Sequence, residues 1–326
     1  MKVLIDSRWK GNTGIGRLYD EVISRKPTIV SDQHITSNLP LGSLYSPLML
    51  AQAIRQSSAD IFYSPSYMPP LYSRIPYVIT IHDLMHLFYY TPLHRLYYKQ
   101  VIARLAKRAK TVITVSQFSK QQLVALLGLD EQQITVIYNG VDDRFASNQE
   151  TFQLDRPYLL YIGNRRKNKN IPAMLQAFAQ AKLPDEVIFA LSGQPDEHLT
   201  REIKRLHIAD RVQFLGFIPE ENLPALYKGA IVTLYVSLME GFGLPILESM
   251  ASGTPVLTAN TSALEEIADH AAYGVSPTDI AEIAHGIEAL TMNGTLRQQY
   301  IDAGKRRASV FKWEDTAIHT WKTILS

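Results

Sequence analysis

The sequence predicts an α/β protein of two doubly wound domains, each with a parallel sheet covered by helices. Three observations indicate this fold class. Short apolar runs of strand composition alternate with segments of helical spacing along the whole chain, a pattern typical of parallel sheets. A polar segment without periodicity interrupts this alternation at residues 147–156, and 326 residues are enough for about two domains.

Each element follows from its local pattern. Strands are predicted from β-rich apolar runs at residues 2–5, 60–63, 77–81, 111–115, 134–137, 158–162, 187–191, 212–215, 231–235 and 255–258. Helices are predicted from helical spacing at residues 15–26, 47–57, 92–109, 117–127, 171–182, 198–207, 222–228, 245–252, 263–268 and 279–290.

These elements give the predicted domain limits. We place one domain at residues 1–150, a second at residues 151–310 and a terminal helix at residues 311–326. The periodicity leaves open whether that helix crosses back to the first domain. Domains of this kind bind ligands at the carboxyl ends of their strands, so the two are expected to face each other across a cleft.

Composition restricts the functional classes. The chain has 46% hydrophobic residues, 20% charged residues and no cysteine, which excludes a disordered protein, a disulfide scaffold and a thiol nucleophile. Charged Lys2 and Asp6 precede any signal-peptide core, and no apolar run approaches the roughly 20 residues of a membrane span. We therefore expect a cytoplasmic protein.

Charge differs between the two halves. Residues 1–150 contain 16 Lys and Arg against 11 Asp and Glu, net +5, whereas residues 151–326 contain 17 against 20, net −3. This asymmetry is too mild for a nucleic-acid partner, but it fits an anionic membrane surface or a phosphorylated acceptor. Aromatic and cationic residues interleave between positions 87 and 110, which is typical of peripheral contact with an anionic membrane. A solvated helix face with its aromatic residues in the core is the alternative.

The most specific pattern runs from Glu240 to Glu248, just after a predicted strand. The residues between them that start a helix are Phe242, Gly243, Leu244 and Pro245. The N–H groups at such a helix start favour phosphate binding, so the two carboxylates would lie on either side of a bound diphosphate. The alternative is an ordinary helix start with Glu248 facing solvent.

A basic loop follows the strand predicted at residues 158–162. Its four cations are Arg165, Arg166, Lys167 and Lys169. Such a cluster at a strand end would neutralise a diphosphate and stabilise it as a leaving group. A solvated surface loop is the alternative.

Taken together, these segments resemble the retaining family 4 glycosyltransferases of the GT-B fold, with Glu240 and Glu248 matching their Glu-x7-Glu motif. Further matches occur in the family's order at residues 6–8, 14–17, 81–84, 115–120, 139–142, 169–170, 253–256 and 313–314. The resemblance implies a nucleotide-diphospho-sugar donor bound by the second domain and an acceptor bound by the first. It also implies that Glu240 contacts the donor sugar, that Glu248 contacts the ribose and that Lys169 contacts phosphate. The phosphate arginine is assigned to Arg166, with Arg165 as the alternative.

A glycine pair, Gly14 and Gly16, follows the first strand at the start of a helix. Tyr19 stands where a dinucleotide fold needs a third glycine, so the nicotinamide motif is incomplete. The pair either reaches the donor phosphates or the acceptor, or only forms a tight turn. Arg17 is expected to be a surface or cleft cation on the acceptor side.

His82 and Asp83 end the strand predicted at residues 77–81. The resemblance implies that His82 contacts the sugar or the leaving phosphate, since the family often has histidine here, and Asp83 would orient it or bind an acceptor hydroxyl. The alternative is that His82 has only a structural role, as a packed side chain. His34, His86 and His94 are interpreted as surface or packing residues.

No Asp-x-Asp motif follows a strand, and no cluster has the spacing of metal ligands, so no metal or other cofactor is expected.

The sequence thus predicts a metal-independent, retaining glycosyltransferase. It would move a hexosyl unit from a nucleotide sugar to a glycan or lipid-linked acceptor in surface polysaccharide biosynthesis. The motifs at residues 14–17 and 82–84 are similar to those of bacterial mannosyltransferases, so GDP-mannose is the first donor hypothesis and UDP-hexoses the second. Alternatives are a sugar-nucleotide epimerase, which needs no acceptor, a glycan phosphorylase, and a non-catalytic sugar-nucleotide-binding subunit.

Overall fold

A computed structural model describes residues 1–11 and 13–326 and divides the chain into two compact units. Unit 1 comprises Met1–Gly140 and Lys312–Ser326, and unit 2 comprises Val141–Phe311. The division thus lies at Gly140 rather than at residue 150. Residues 148–156 have no helix or strand, but they belong to unit 2 because Phe152 N donates to Ala225 O at 2.9 Å and Lys228 Nζ donates to Asn148 O at 2.7 Å.

Unit 1 contains a six-stranded, wholly parallel sheet in the order β2-β1-β3-β4-β5-β6. Its strands are β1 (Lys2–Asp6), β2 (Ser31–Ile35), β3 (Ile61–Ser64), β4 (Tyr77–Thr80), β5 (Thr111–Thr114) and β6 (Ile134–Val136). Its helices before the division are α1 (Gly14–Ser24), α2 (Ser46–Gln56), α3 (Pro92–Tyr97), α4 (Ala103–Ala106) and α5 (Gln117–Leu127). A π-helical turn, Tyr98–Ile102, joins α3 to α4, so the helix predicted at residues 92–109 is interrupted.

Unit 2 contains a second parallel sheet of six strands, in the order β12-β11-β10-β7-β8-β9. Its strands are β7 (Tyr158–Tyr161), β8 (Ile188–Leu191), β9 (Val212–Phe214), β10 (Val232–Tyr235), β11 (Val256–Ala259) and β12 (Tyr273–Val275). Its helices are α6 (Asp143–Ser147), α7 (Ile171–Gln180), α8 (Glu197–Arg205), α9 (Leu223–Gly229), α10 (Leu244–Ala251), α11 (Ser262–Ala268), α12 (Ile280–Met292) and α13 (Gly294–Ala308).

The two parallel sheets with surrounding helices confirm the predicted α/β class. Four elements were absent from the sequence prediction: the edge strands β2 and β12 and the helices α6 and α13. Each of these two strands has a single buried residue, Ile35 in β2 and Val275 in β12, so neither sequence has the apolar run of a central strand. Only Gly304 and Ala308 of α13 are buried, which leaves it without an apolar stripe.

The helix α14 (Trp313–Leu325) packs on α1 within unit 1. Trp321 is 2% exposed and its indole Nε1 donates to Val22 O at 2.8 Å. Thr316 Oγ1 donates to Tyr138 O at 2.7 Å, and a Cβ on Gly140 would lie 2.1 Å from Trp313 N, so the chain makes a close backbone approach there. Residues 312–326 are therefore an integral part of unit 1.

Replacing Trp321 with alanine is expected to destabilise unit 1 by about 3–5 kcal/mol, because it removes a fully buried indole and its hydrogen bond. Urea unfolding followed by circular dichroism measures the change. Ile318 on the same helix is 55% exposed, and Ile318→Ala is the matched control. Equal midpoints for the two variants would contradict the assignment of Trp321 to the core.

Candidate active site

The sheet of unit 2 changes winding direction between β7 and β10. The chain runs from β7 to β8 and β9 on one side, then returns to β10 and continues to β11 and β12 on the other. Loops that leave two adjacent strands in opposite directions form a crevice outside the carboxyl ends, which is the usual ligand site in such sheets. The basic loop at residues 162–170 leaves β7, and residues 236–243 leave β10.

A buried ion pair joins these two loops. Lys169 Nζ lies 2.7 Å from Glu240 Oε1, and these residues are only 8% and 6% exposed. The same ammonium donates to the Tyr235 hydroxyl at 2.6 Å. The structure thus brings together the two residues that the sequence analysis made the centre of the site, 71 positions apart. Buried charges of opposite sign in contact hold each other in place.

Tyr235 and Asn168 complete this cluster, and the sequence analysis assigned a function to neither. The Tyr235 hydroxyl and Asn168 Nδ2 each lie 3.4 Å from Glu240 Oε1. Burial and then the Glu240 charge raise the pKa of Tyr235 well above its ordinary value, so the hydroxyl keeps its proton. In the sequence, the only features that could have indicated these two residues are their positions. Tyr235 is the last residue of β10, and Asn168 lies within the basic loop.

Backbone contacts fix the two loops to each other. Leu238 N donates to Asn168 O at 2.7 Å, and Asn168 Nδ2 donates to Met239 O at 3.1 Å. Asn170 has a φ of 58° and donates through Nδ2 to Val236 O at 3.1 Å and to Pro277 O at 2.7 Å. Because asparagine tolerates the left-handed region better than most residues, it suits this turn. The position of Lys169 is therefore set by the backbone on both sides.

The helix α10 starts immediately after this cluster. Gly243, its N-terminal flanking residue, has a φ of 112°, and a Cβ there would lie 2.7 Å from Leu264 Cδ2. Only glycine fits this position without strain. In the described part of the chain no side-chain hydrogen bond caps α10, whose first turn contains Leu244 and Pro245. Within this turn Ile246 N donates to Gly243 O at 3.0 Å. Phe242 packs edge-on against Phe311, with ring centroids 6.0 Å apart.

Glu248 lies inside α10 and is 5% exposed. The Tyr227 hydroxyl donates to Glu248 Oε2 at 3.1 Å, and Thr254 Oγ1 in turn donates to Tyr227 O at 2.6 Å. The alternative of a solvent-facing Glu248 is therefore wrong, because its carboxylate is enclosed by unit 2. Its contact with ribose stays a prediction.

The two arginines of the basic loop differ in their surroundings. Arg165 forms an ion pair with Asp196 at 2.6 Å, donates to Ser192 O at 3.1 Å and lies over the Phe214 ring at 4.8 Å. These contacts tie Arg165 to the loops after β8 and to β9. Arg166 is exposed.

The predicted residues of unit 1 lie on two separate elements. Gly14, Gly16 and Arg17 form the first turn of α1, where the Thr13 side chain accepts a hydrogen bond from Gly16 N at 3.0 Å. A Cβ on Gly16 would lie 1.8 Å from Gly11 O, so this glycine has a structural requirement of its own. The tight-turn interpretation thus holds for Gly16 whether or not a ligand approaches it.

His82 and Asp83 follow β4, as predicted. His82 Nε2 lies 2.9 Å from Pro65 O, so this nitrogen carries the proton and donates it, and Ser119 Oγ donates to His82 O at 3.1 Å. Asp83 Oδ1 accepts a hydrogen bond from Met85 N at 2.8 Å, at the first residue of the short helical turn Met85–Leu87. Both residues have structural partners, and their catalytic roles stay predictions.

Burial lowers the pKa of His82 below its usual 6.5, despite the opposing effects of the Pro65 carbonyl and Asp83. Below about pH 6.5 the unfolded chain therefore binds a proton at His82 more readily than the folded chain does. The folded state has its full stability with respect to His82 above about pH 6.5 and loses stability as pH falls below that value. His82→Gln keeps a donor for Pro65 and is expected to reduce the loss of stability between pH 7 and 5, measured by urea unfolding. Parallel pH profiles for the two proteins would contradict this.

In residues 1–11 and 13–326, no group of three or more histidine, aspartate or glutamate side chains is arranged to hold a metal ion.

Comparison with known proteins identifies the class. The crystal structure of Anabaena Alr3699/HepE in complex with UDP and glucose superposes with a TM-score of 0.81 at 20% identity, over 100% of this chain and 99% of that chain. O-antigen chain mannosyltransferase B of Escherichia coli is 28% identical, over 85% of this chain and 77% of its own length. O-antigen chain mannosyltransferase RfbU of Salmonella typhimurium is 30% identical, over 78% of this chain and 72% of its own length.

The fold is that of the GT-B glycosyltransferases, as the sequence predicted. Residues 142–307 match the family model of the glycosyl transferases group 1, and residues 12–145 match that of Glycosyltransferase Family 4. The chain belongs to the glycosyl transferases group 1 and is a transferase enzyme.

Proposed function

We propose that this enzyme is a retaining glycosyltransferase. It moves a hexosyl unit, with mannose the first choice, from a nucleotide-diphospho-sugar to a hydroxyl of a glycan or lipid-linked acceptor in surface polysaccharide biosynthesis. The observation that carries the proposal is the buried Lys169, Glu240 and Tyr235 cluster beside the start of α10. This arrangement offers an ammonium and a helix N-terminus to phosphate, next to a carboxylate that suits sugar hydroxyls.

In this mechanism the bond from the anomeric carbon to the diphosphate oxygen breaks, and the acceptor oxygen forms its bond on the same face. The acceptor proton passes to the departing phosphate oxygen, so no side chain serves as a nucleophile. Lys169, Arg166 and the first turn of α10 hold the phosphates and stabilise the charge that develops on them. Arg166 is the first choice from the sequence pattern, and Arg165, whose guanidinium contacts Asp196 and Ser192, is the alternative.

Other contacts are assigned from the sequence patterns. Glu248 would accept from the ribose hydroxyls, and Gly14 and Gly16 would approach the donor phosphates. His82 would contact the sugar or the leaving phosphate, with Asp83 and Arg17 on the acceptor side.

The donor proposal draws on the relatives. The two O-antigen proteins are named mannosyltransferases, whereas the Anabaena structure holds UDP and glucose. We therefore take GDP-mannose as the first donor and UDP-hexoses as the second. Incubation with GDP-mannose, UDP-glucose or dTDP-glucose and a panel of glycan acceptors, followed by NMR of the product, tests donor and stereochemistry together. An inverted anomeric configuration, or no transfer from any of the three, would overturn the proposal.

The enzyme is proposed to need no divalent cation, because one ammonium, one guanidinium and a helix N-terminus supply the positive charge that the diphosphate requires. Turnover is expected to be unchanged, within about twofold, by 5 mM EDTA. Loss of turnover on chelation, with recovery on adding Mg²⁺ or Mn²⁺, would contradict this.

We further propose that the enzyme works in the cytoplasm, in peripheral contact with the anionic inner face of the cell membrane, where a lipid-linked acceptor would lie. Every helix within residues 1–11 and 13–326 is too short or too polar to traverse a lipid bilayer. Support for peripheral contact comes from the exposed cations of residues 95–110.

A further inference from the structure

Five non-glycine residues in the part of the chain that the structure describes have a left-handed backbone, with φ between 45° and 62°. Four are asparagine, aspartate or histidine, the types that enter this region most readily: Asn170, His207, Asp269 and His270. The fifth is Ser262, whose φ is 61°. Serine has no such preference, and residues held in strained backbone regions cluster at functional sites. The strain at Ser262 therefore points to a function of its side chain.

Ser262 is the first residue of α11, which follows β11, the neighbour of β10 in the sheet. Its Oγ accepts a hydrogen bond from Glu240 N at 3.3 Å. Glycine takes a left-handed backbone without strain, so the hydroxyl is what serine adds at this position. That hydroxyl contacts the main chain of the residue whose carboxylate pairs with Lys169.

The helix α11 is held in place at both ends. Near its end, Arg307 Nε donates to Ile267 O at 2.9 Å. Near its start, Leu264 packs beside the first turn of α10, where a Cβ on Gly243 would lie 2.7 Å from Leu264 Cδ2. These contacts fix the helix, and with it the Ser262 hydroxyl, relative to the start of α10.

The loop that carries Glu240 has no regular structure of its own. Residues 236–243 contain no helix or strand, so the position of Glu240 depends on the neighbouring loops. Its carboxylate contacts Lys169, and its main-chain N–H contacts Ser262. One contact through the side chain and one through the main chain define the orientation of this residue as well as its place.

We propose that Ser262 is a positioning residue for sugar transfer: its hydroxyl holds the Glu240 main chain so that the carboxylate lies against the donor sugar. The inference rests on the proposed function in that Glu240 is taken to contact that sugar. Ser262 itself touches no reacting atom. Its loss displaces Glu240 without removing a charge, and a misplacement of about 1 Å in a reacting arrangement can cost up to about a hundredfold in rate.

Three substitutions at Ser262 separate the hydroxyl from the backbone strain. Ser262→Gly and Ser262→Ala both remove the hydroxyl and should each lower kcat about tenfold, whereas Ser262→Thr keeps it and should stay within about threefold of wild type. Midpoints of urea unfolding should follow another order. Ser262→Gly should be more stable than Ser262→Ala because it relieves the strain, and Ser262→Thr should be less stable than wild type because a β-branched residue increases it. A purely structural role would make rate and stability follow the same order.

Two matched controls accompany these variants. His207→Gly relieves left-handed strain at an exposed residue between α8 and β9. It should raise the urea midpoint and leave kcat within about twofold. Thr261→Ala removes the hydroxyl of the preceding residue, which is exposed and makes no capping hydrogen bond, and should also leave kcat within about twofold.

Two further measurements need no turnover. Calorimetry should give affinities for GDP and UDP within about twofold of wild type in the Ser262 variants, because Lys169 and the start of α10 are unchanged. Hydrogen exchange followed by mass spectrometry of peptides that span Glu240 should be faster in Ser262→Gly and Ser262→Ala than in wild type, because the Glu240 amide loses its acceptor.

The inference is overturned by wild-type kcat in both variants that lack the hydroxyl, by unchanged exchange at Glu240, or by a threonine variant as slow as the glycine one. In a Glu240→Gln background, Ser262→Gly should add less than about twofold, and the full effect there would show that Ser262 acts elsewhere. Wild-type transfer by Glu240→Gln alone would instead reject the sugar contact of the proposed function. Faster exchange at Glu240 would then still support its positioning by Ser262.

Discussion

Lys169→Ala is expected to lower kcat by about a hundredfold or more, which is the usual effect of removing one group that stabilises developing charge. The Michaelis constant for the nucleotide sugar should rise as well, because the ammonium at this position is proposed to bind the diphosphate before and during bond cleavage. Initial rates over a range of donor concentrations measure both constants. Wild-type rates in this variant would refute the site.

The matched control for this variant is Lys167→Ala. Lys167 lies two positions away in the same loop but is exposed and outside the ion pair with Glu240, so a change within about twofold is expected. Loss of Lys169 also leaves the Glu240 carboxylate buried without its partner, which can cost about 3–5 kcal/mol of stability. The double variant Lys169→Met with Glu240→Gln removes both charges. It should recover stability and stay inactive, and this separates catalysis from folding.

Glu240→Gln is expected to lower kcat by a similar factor while the Michaelis constant for the donor stays level or falls. The amide keeps the volume of the side chain, but the negative charge that offsets Lys169 is lost. The ammonium then attracts the diphosphate more strongly in the ground state, whereas the contact proposed for the sugar is weakened. The Michaelis constant for the donor should therefore rise in Lys169→Ala but not in Glu240→Gln.

Calorimetric titration with GDP or UDP checks this difference without turnover: affinity should fall in Lys169→Ala and rise or stay level in Glu240→Gln. Glu265→Gln, on an exposed residue of α11, is the control. An affinity loss of equal size in both site variants would show that Glu240 supports the loop rather than the sugar.

Much of the central fold could be predicted because central parallel strands are buried on both faces. The strands β7, β8 and β10 have every residue buried, and their apolar runs are unambiguous. The strand β12 could not be found in this way, because Gly274 is exposed and Tyr273 only partly buried. The limit of unit 1 also lay outside sequence reasoning, since no local pattern shows that Gly140 packs against Trp313.

Lys169 and Glu240 were singled out separately in the sequence, but the contact between them was not predicted. Lys169 and Glu240 were each found from local chemistry at a strand end. Their ion pair depends on β7 and β10 being neighbours in the sheet, which only the winding order determines. Tyr235 was missed for another reason. A tyrosine in an apolar run is usually a core residue, and the Tyr235 hydroxyl joins the cluster only through its contact with Lys169.

The return of α14 to unit 1 also has a consequence during synthesis on the ribosome. Residues 1–140 emerge first, but the helix that covers Val22 follows only after residues 141–311. At cellular elongation rates of about 5–20 residues per second, that interval lasts roughly 10–30 s. Unit 2 is contiguous and can finish folding as it leaves the exit tunnel, whereas unit 1 must wait with the α1 surface uncovered. Folding of unit 1 therefore cannot be complete until all of unit 2 has been synthesised.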